Sequence, residues 1–292
     1  MKPRATVGVI GGSGLYEMKS IRNPRPVKVK TPFGAHSGPL LLGELKGAAC
    51  AFLPRHGKGH VLNPSEINAR ANLYALKSLG VERVVAFAAV GSLKEELAPR
   101  HFVVPDQLVD ETKGRASTFF SGGIVAHVAF DAPFCAEQSE LLYQSARGLG
   151  IASHRGGTYI CMEGPTFSTR AESEYHRKMG YSIIGMTAVP EARLAREAEL
   201  CYSLVCLVTD YDCWKQGEEV SSVQVVENVS ANVANAQRVL ERAAQRLAER
   251  PRQCRCATAL SGALVTDPKA MSRKAVRDLA PLIGKYLPKR AK

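Results

Sequence analysis

Apolar residues recur along this chain in two rhythms. Short continuous runs, of the kind buried on both faces of a parallel sheet, occupy Ala5 to Ile10, Val84 to Val90 and Tyr202 to Val208. Further strands are predicted at Leu40 to Leu45 and Ala48 to Leu53 around a Lys46-Gly47 turn, and at Phe102 to Val104 and Gly157 to Cys161. Between them the spacing turns helical. Ala71, Leu73, Leu76 and Leu79 lie in a helix opened by Asn63-Pro64-Ser65 and closed by Gly80, and Leu141 to Leu149 form another that stops at Gly150. Ile183 to Trp214 reads as strand, helix, strand, with Pro190 in a first turn, where its missing amide costs nothing. Val223, Val226, Val229, Val233, Leu240 and Leu247 mark one face of a long helix starting near Ser221. A linker, Arg252 to Ala257, then leads to a final basic helix, Lys274 to Leu287.

Alternation of strands and helices implies an α/β fold with a mostly parallel or mixed central sheet flanked by helices. No repeat or inter-domain linker interrupts it, so residues 1–292 are expected to form a single domain with a basic C-terminal helical extension, about 258–292. With 292 residues, 45% of them hydrophobic, the chain can bury one large core.

The net charge of +12, from 39 basic and 27 acidic residues, reads as a solvated basic surface. Many of the positive residues fall between Lys269 and Lys292 without interleaved aromatics or a nucleic-acid motif, so nucleic acid is not an expected partner. Such a field would still attract an anionic co-substrate. No apolar run is long enough to span a membrane, and a strand followed by a glycine turn begins where a signal peptide would lie. A cytoplasmic protein without membrane contact is expected. The eight cysteines include no Cys-x-x-Cys pair, so no metal is expected; Cys254 and Cys256 are reduced thiols or a redox pair, and Cys135, Cys201 and Cys206 are further candidates for pairing.

Three stretches carry candidate chemistry. Gly11-Gly12-Ser13-Gly14 follows the first strand, where successive amides can cradle an anion, but it lacks the spacing of a dinucleotide fingerprint or a hydrolase elbow. Arg55-His56 closes a strand and can grip a phosphate through several donors. Thr187 lies near a helix N-terminus, which favours an anion. Asp210 and Asp212 end the last strand; continued extension would point both carboxylates to one side.

Taken together, Gly11-Gly12-Ser13-Gly14-Leu15, Thr31-Pro32-Phe33-Gly34, Arg55-His56-Gly57, Gly91-Ser92-Leu93, Glu163-Gly164-Pro165, Phe167 to Glu172, Met186-Thr187, Val189-Pro190-Glu191 and Thr209 to Trp214 resemble the trimeric purine nucleoside phosphorylases, in family order and across most of the chain. The resemblance implies a nucleoside phosphorylase fold and phosphorolysis of a purine nucleoside, here 5'-methylthioadenosine, giving adenine and 5-methylthioribose 1-phosphate. It implies no cofactor, inorganic phosphate as co-substrate, and a homotrimer or homohexamer. It places Ser13, Arg55, His56, Ala88, Ala89 and Thr187 at the phosphate and Met186 against the ribose. Phe167 would lie against the base, with Asp210, Tyr211 and Asp212 around it. Ser168, Val223 and Val226 would set specificity, and His127 would reach the 5' end across a subunit contact.

The chemistry fits these roles. Phosphate itself attacks C1', so the protein must hold the anion and neutralise the departing base. A protonated Asp210 can donate to purine N7, and its neighbour Asp212 disfavours a second charge in the pocket. An ionised Asp212 accepts from a 6-amino group and repels a 6-oxo group, where relatives that take 6-oxopurines carry Asn in place of Asp210. Glu227 departs from the apolar residue usual beside a methylthio group; it must turn outward, find a partner or meet a 5'-hydroxyl. The alternatives are a broader phosphorylase or hydrolase acting on adenosine or 6-oxopurine nucleosides, and a nucleoside-binding protein without catalysis.

Overall fold

The structure is a computed structural model that describes residues 4–217 and 222–287; the side chains of Ser13 and of residues 222–225 also lie outside the description. Strand β1 (Val7–Gly11) leads through a single turn, α1 (Ser13–Tyr16), to β2 (Arg22–Val27), β3 (Leu40–Leu45) and β4 (Ala48–Pro54). Helix α2 (Ala69–Ser78) precedes β5 (Arg83–Ser92), β6 (Phe102–Val104) and β7 (Gln107–Asp110). Then come α3 (Ala136–Arg147), β8 (Ser153–Arg155), β9 (Thr158–Cys161), α4 (Arg170–Lys178), β10 (Ile183–Gly185), α5 (Ala188–Glu197) and β11 (Cys201–Asp210). The long α6 (Ser222–Glu249) is followed by a 3-10 turn (Arg255–Thr258) and two short helices, α7 (Arg273–Asp278) and α8 (Ala280–Ile283).

The strands form one mixed sheet in the order β2-β3-β4-β1-β5-β10-β9-β7, with β11 along β5, then β6 and β8 beyond it. The strands read as continuous apolar runs, β1, β5 and β11, are central; they run parallel with β4, and nine of the ten residues of β11 are buried. Burial of each such Leu, Val or Phe is worth roughly 1.5–3 kcal/mol, which outweighs any local preference of the segment. One face of the sheet packs Leu73, Leu76, Leu194, Leu282 and Ile283 from α2, α5 and α8; the other packs Leu141, Leu142, Val239, Leu240 and Leu247 from α3 and α6. No helix among the described residues is long and apolar enough to cross a membrane.

Several expectations needed correction. Strand β2 was hidden by Pro24 and Pro26; it lies on the sheet edge, where a missing donor is tolerated. The expected final basic helix is broken into α7, α8 and a 3-10 turn, because Pro281 at the start of α8 supplies no amide to a continuous ladder. The apolar stripe of α6 is core only in its later part: Val239, Leu240 and Leu247 are buried, whereas Val226 is 62% exposed. The start of that helix is docked by amides instead. Asn228 Nδ2 donates to Thr209 O at 2.7 Å and Asn232 Nδ2 to Val208 O at 3.0 Å, which fixes the end of β11. Ser221 and the side chain of Val223 lie outside the described residues.

Candidate active site

Strand β5 is shared by three partners. Strand β1 pairs with it from Arg83 to Ala86, β11 runs along the opposite edge to Gly91, and β10 joins, antiparallel, at Gly91 and Ser92. Between Ala86 and Gly91 the first edge therefore has no strand partner among the described residues. Ala88 and Ala89 lie in this gap, and Ala89 is exposed although the strand around it is buried. Backbone groups in such a split must find other partners, which makes the gap a natural crevice for a polar ligand.

Arg55 fills part of the gap. It follows β4, its amide donates to Gly11 O at 3.1 Å, and its Nη1 donates to Phe87 O at 2.6 Å. The rest of the fork is bound to Glu191 on α5: Nε to Oε1 at 2.6 Å and Nη2 to Oε2 at 3.1 Å. Tyr202 of β11 donates to Glu191 Oε2 at 2.9 Å. Arg55 and Glu191 are 2% and 1% exposed. Burial alone would lower the guanidinium pKa, but the Glu191 carboxylate more than reverses this and holds Arg55 charged. The sequence thus offers Arg55 as an open phosphate fork, whereas the structure presents a clamped side chain with only its remaining N–H groups free.

His56 sits beside it with Nδ1 2.9 Å from Leu62 O, so that nitrogen carries the proton, and its ring stacks on His60 with centroids 4.2 Å apart. Burial, then the Arg55 charge, lowers its pKa to about 4. His56 is therefore neutral at pH 7, with Nε2 an acceptor.

Thr187 stands at the N-terminus of α5, four residues before Glu191, so the Arg55 pair ties it to the gap. The continuous first turn expected around Pro190 is absent. Val189 is extended, with φ −108° and ψ 133°, and the Val189-Pro190 peptide is cis. Gly185 explains the approach: a Cβ there would lie 2.2 Å from the Tyr159 hydroxyl, which accepts from the Thr187 amide at 3.4 Å. Arg115 secures the other side, with Nη1 donating to Met186 O at 2.6 Å and Val189 O at 2.9 Å. Its Nε lies 3.5 Å from Glu163 Oε2. Met186 is half-buried under the Glu163-Gly164-Pro165 turn.

Asp210 pairs with Gly91, at the far end of the gap, about 13 Å along β5 from Phe87 by strand rise. The extension expected beyond it does not continue. Asp212 has φ +51° and its amide donates to Asp210 Oδ1 at 2.8 Å, so a turn, not strand alternation, brings the two carboxyls together. A side chain at Gly91 would meet Asp210 Oδ1 at 3.0 Å. Thr209 Oγ1 lies 2.6 Å from Asp210 Oδ2 and 3.2 Å from Val90 O. That hydroxyl has one proton and two oxygens to serve; when it donates to Val90, only a protonated Asp210 completes the set. Burial is the main cause raising the pKa of both carboxyls; at Asp210 the Thr209 hydroxyl and the Asp212 amide oppose it and the Asp212 charge reinforces it. Asp212 is 5% exposed; its Oδ2 makes no hydrogen bond of normal length, while the nearby Ser173 and Ser168 hydroxyls oppose the rise that burial causes in its pKa.

The remaining sites are spread more widely. Phe167 is 51% exposed, and Ser168 accepts at its carbonyl from Cys213 Sγ at 3.3 Å, which places the 163–168 loop beside the aspartates. Tyr211 is buried, its hydroxyl donating to Glu95 O at 3.1 Å and its ring edge-on to Trp214, so its side chain anchors the turn. Val226 and Glu227 are exposed on α6; Glu227 takes the outward option. His127 is exposed on a segment lining a cleft of about 800 Å³ whose lining residues, among them Phe120, Arg193 and Arg196, include none of the other predicted site residues. Sequence reasoning gave no role to Glu191, Arg115, Tyr159, Thr209 or Asn232. Glu191 alone carried a signal, as an acidic residue just after a proline at a helix start.

The family model described as "Phosphorylase superfamily" matches residues 6–245. A protein of Geobacter sulfurreducens named S-methyl-5'-thioadenosine phosphorylase is 50% identical over 283 residues, 96% of this chain and 99% of its own length. One of the same name from Chloroflexus aurantiacus is 51% identical over 287 residues, 97% and 98% of the two chains. Among solved structures, a methylthioadenosine phosphorylase from an antarctic soil metagenomic library superposes with a TM-score of 0.92 at 48% identity, covering 96% of this chain and 99% of its own. A Schistosoma mansoni adenosine/methylthioadenosine phosphorylase mutant in complex with methylthioadenosine gives 0.80 at 38% identity, over 85% and 93%.

Two outcomes follow from the clamp and its neighbour. Glu191→Ala should destabilise the protein by about 3–5 kcal/mol in urea unfolding, because it strands a buried cation; adding Arg55→Met should restore much of that loss without restoring phosphate binding by calorimetry. Full stability in Glu191→Ala would contradict the clamp. The native pKa of His56, about 4, lies below the ordinary value of about 6.5. The unfolded state therefore binds the extra proton, and His56 costs no stability above pH 6.5 but an increasing amount as pH falls toward 4. His56→Gln should flatten that part of the profile of Tm against pH; an unchanged slope would contradict the assignment.

Proposed function

The chain belongs to the phosphorylase superfamily, and from that premise we propose that it cleaves 5'-methylthioadenosine with inorganic phosphate, releasing adenine and 5-methylthioribose 1-phosphate. The observation that carries the site assignment is the gap in β5, with an anion-suited end at Arg55 and a proton-donating end at Asp210. Phosphate would lie against Ala88, Ala89, Thr187, Ser13, His56 and the unused N–H groups of Arg55. Arg55 and Glu191 cancel in formal charge, so the amides and hydroxyls there supply much of the attraction, and the neutral His56 Nε2 accepts from a P–OH.

The sugar would rest on Met186 and the base against Phe167. As the C1'–N9 bond breaks and a C1'–O bond to phosphate forms, Asp210 passes its proton to N7, so the purine leaves as the neutral base. The Thr209 hydroxyl can follow this step, turning from Val90 O to the new carboxylate. Asp212, whose Oδ2 makes no hydrogen bond of normal length within the chain, would accept from the 6-amino group and so favour adenine over 6-oxopurines. Tyr211 holds this turn from below. Ser168, Val223 and Val226 would border the 5' end. His127, exposed and apart from the other residues, would complete a neighbouring subunit's site in a trimer or a pair of trimers, and the relatives' names support the 5'-methylthio preference.

Product analysis tests this reading. Adenine release from methylthioadenosine should require phosphate, and kcat/KM for inosine should be lower by ~10⁴-fold. Asp210→Asn should shift preference toward 6-oxopurine nucleosides. Comparable rates on inosine, or release of free methylthioribose without phosphate, would contradict it.

A further inference from the structure

Away from the site, four cysteines from three distant segments meet. Cys135 is the N-cap of α3, Cys201 opens β11, and Cys254 and Cys256 flank the start of the 3-10 turn after α6. Their four Sγ atoms all lie within 4.8 Å of one another, and all four are free thiols. The sequence test for a metal, a Cys-x-x-Cys pair, could not see this group, because the fold and not the spacing assembles it. Cys206, a sequence candidate for pairing, is buried apart from it.

We propose that Cys135, Cys201, Cys254 and Cys256 form a tetrahedral site for one structural zinc ion that staples the C-terminal segment to the corner between α3 and β11. The dimensions fit. A tetrahedron with Zn–S bonds of about 2.3 Å has S···S edges of about 3.8 Å, so four sulfurs mutually within 4.8 Å need only small rotations to enclose an ion. Cys201 and Cys254 sulfurs are 3.3 Å apart, nearer that edge than the roughly 2.05 Å of a disulfide. A disulfide joins sulfurs in twos; a set of four in mutual reach is the arrangement a tetrahedral ion demands.

The ligands are held before any ion arrives. The Cys135 amide donates to Tyr202 O at 2.8 Å and the Cys201 amide to Glu82 O at 3.0 Å. Three of the thiols are buried, and Cys254, partly exposed, leaves an entry path. On binding, each thiol releases its proton to solvent, leaving a dianionic centre. Two features face that charge: the amides at the N-terminus of α3, and the buried Arg83, whose Nη1 is 4.0 Å from Cys201 Sγ. Arg83 is itself oriented by Arg250 O at 2.7 Å and by Glu137 at 3.6 Å. Sulfur-only donors select zinc over harder ions, and four protein ligands leave no open position, so the role is structural.

The staple has a mechanical consequence. Beyond Cys256 the chain runs to Ala263, whose carbonyl accepts from the His127 amide at 2.9 Å, and to Val265, whose amide donates to Val125 O at 3.0 Å. The segment that displays His127 thus leans on the one the zinc would hold.

Metal analysis of the full-length protein, purified with a thiol reductant and without chelators, decides the matter. The result expected is one zinc per chain by plasma mass spectrometry, released as four thiols are titrated with an organomercurial. Cobalt substitution should give the thiolate charge-transfer and intense tetrahedral ligand-field bands of a four-sulfur site. Cys254→Ser should lose most of the zinc and melt at lower temperature, with Cys206→Ser keeping its zinc. Four freely titrating thiols with no bound metal after exposure to zinc would overturn the proposal. So would an intact mass lighter by four hydrogens, which marks two disulfides, or a coloured protein holding iron. The wild-type measurement stands even if a cysteine variant fails to fold.

Discussion

A strand inside a sheet has to satisfy its backbone groups on both edges, and β5 meets that demand with three partners instead of two. Strand β1 leaves it at Ala86 and β10 takes it up only at Gly91. What lies between is a stretch of central strand whose outer edge no other strand covers among the described residues. Phe87 O is satisfied by Arg55, and the exposed Ala89 faces open space. The crevice is thus a product of topology. It exists because β10 runs against β5 while β1 and β11 run with it, and the loops that follow β1, β4 and β10 converge on it.

Filling that gap with a buried arginine creates an electrostatic problem, and much of the surrounding structure answers it. An unpaired guanidinium at this depth would be costly, so Glu191 binds two of its nitrogens and Tyr202 binds Glu191. The pair spans β4, β5, α5 and β11, and so sets the position of Thr187 at the start of α5. At the other end the problem is reversed. The Asp210 and Asp212 carboxyls share a turn among buried groups, and both are pushed toward the protonated form by burial. A crevice with a neutralised cation at one end and carboxyls pushed toward the protonated form at the other suits a reaction that consumes an anion and expels a base.

Much of this was legible beforehand, and the failures are instructive. The central strands announced themselves as unbroken apolar runs, since burial on both faces leaves no other pattern available. Arg55 and Asp210 were recognisable because each sits at a strand end, and Thr187 because it precedes a helix start. The Arg55–Glu191 clamp was not, because it joins residues 136 positions apart and nothing local marks a carboxylate as buried. The need for glycine at 185 was equally hidden, because the Tyr159 hydroxyl that would meet a Cβ there is 26 positions away in the chain. Strand alternation predicted the right neighbours for the wrong reason at Asp210 and Asp212, where a left-handed residue and an amide–carboxyl bond do the work. The cysteine group escaped for the same cause as the clamp: its members are contiguous only in space.

The role of the Asp210 proton is open to a single combined measurement. Phosphorolysis rates of methylthioadenosine and of its 7-deaza analogue, which carries CH in place of N7, are compared in the wild type and in Asp210→Ala. If Asp210 protonates N7, the wild type should prefer the natural nucleoside by a factor that includes ~10²–10⁴ from general acid catalysis, and the variant should lose that share of the preference. An equal preference in both proteins would show that the carboxyl and N7 act independently, and would contradict the mechanism.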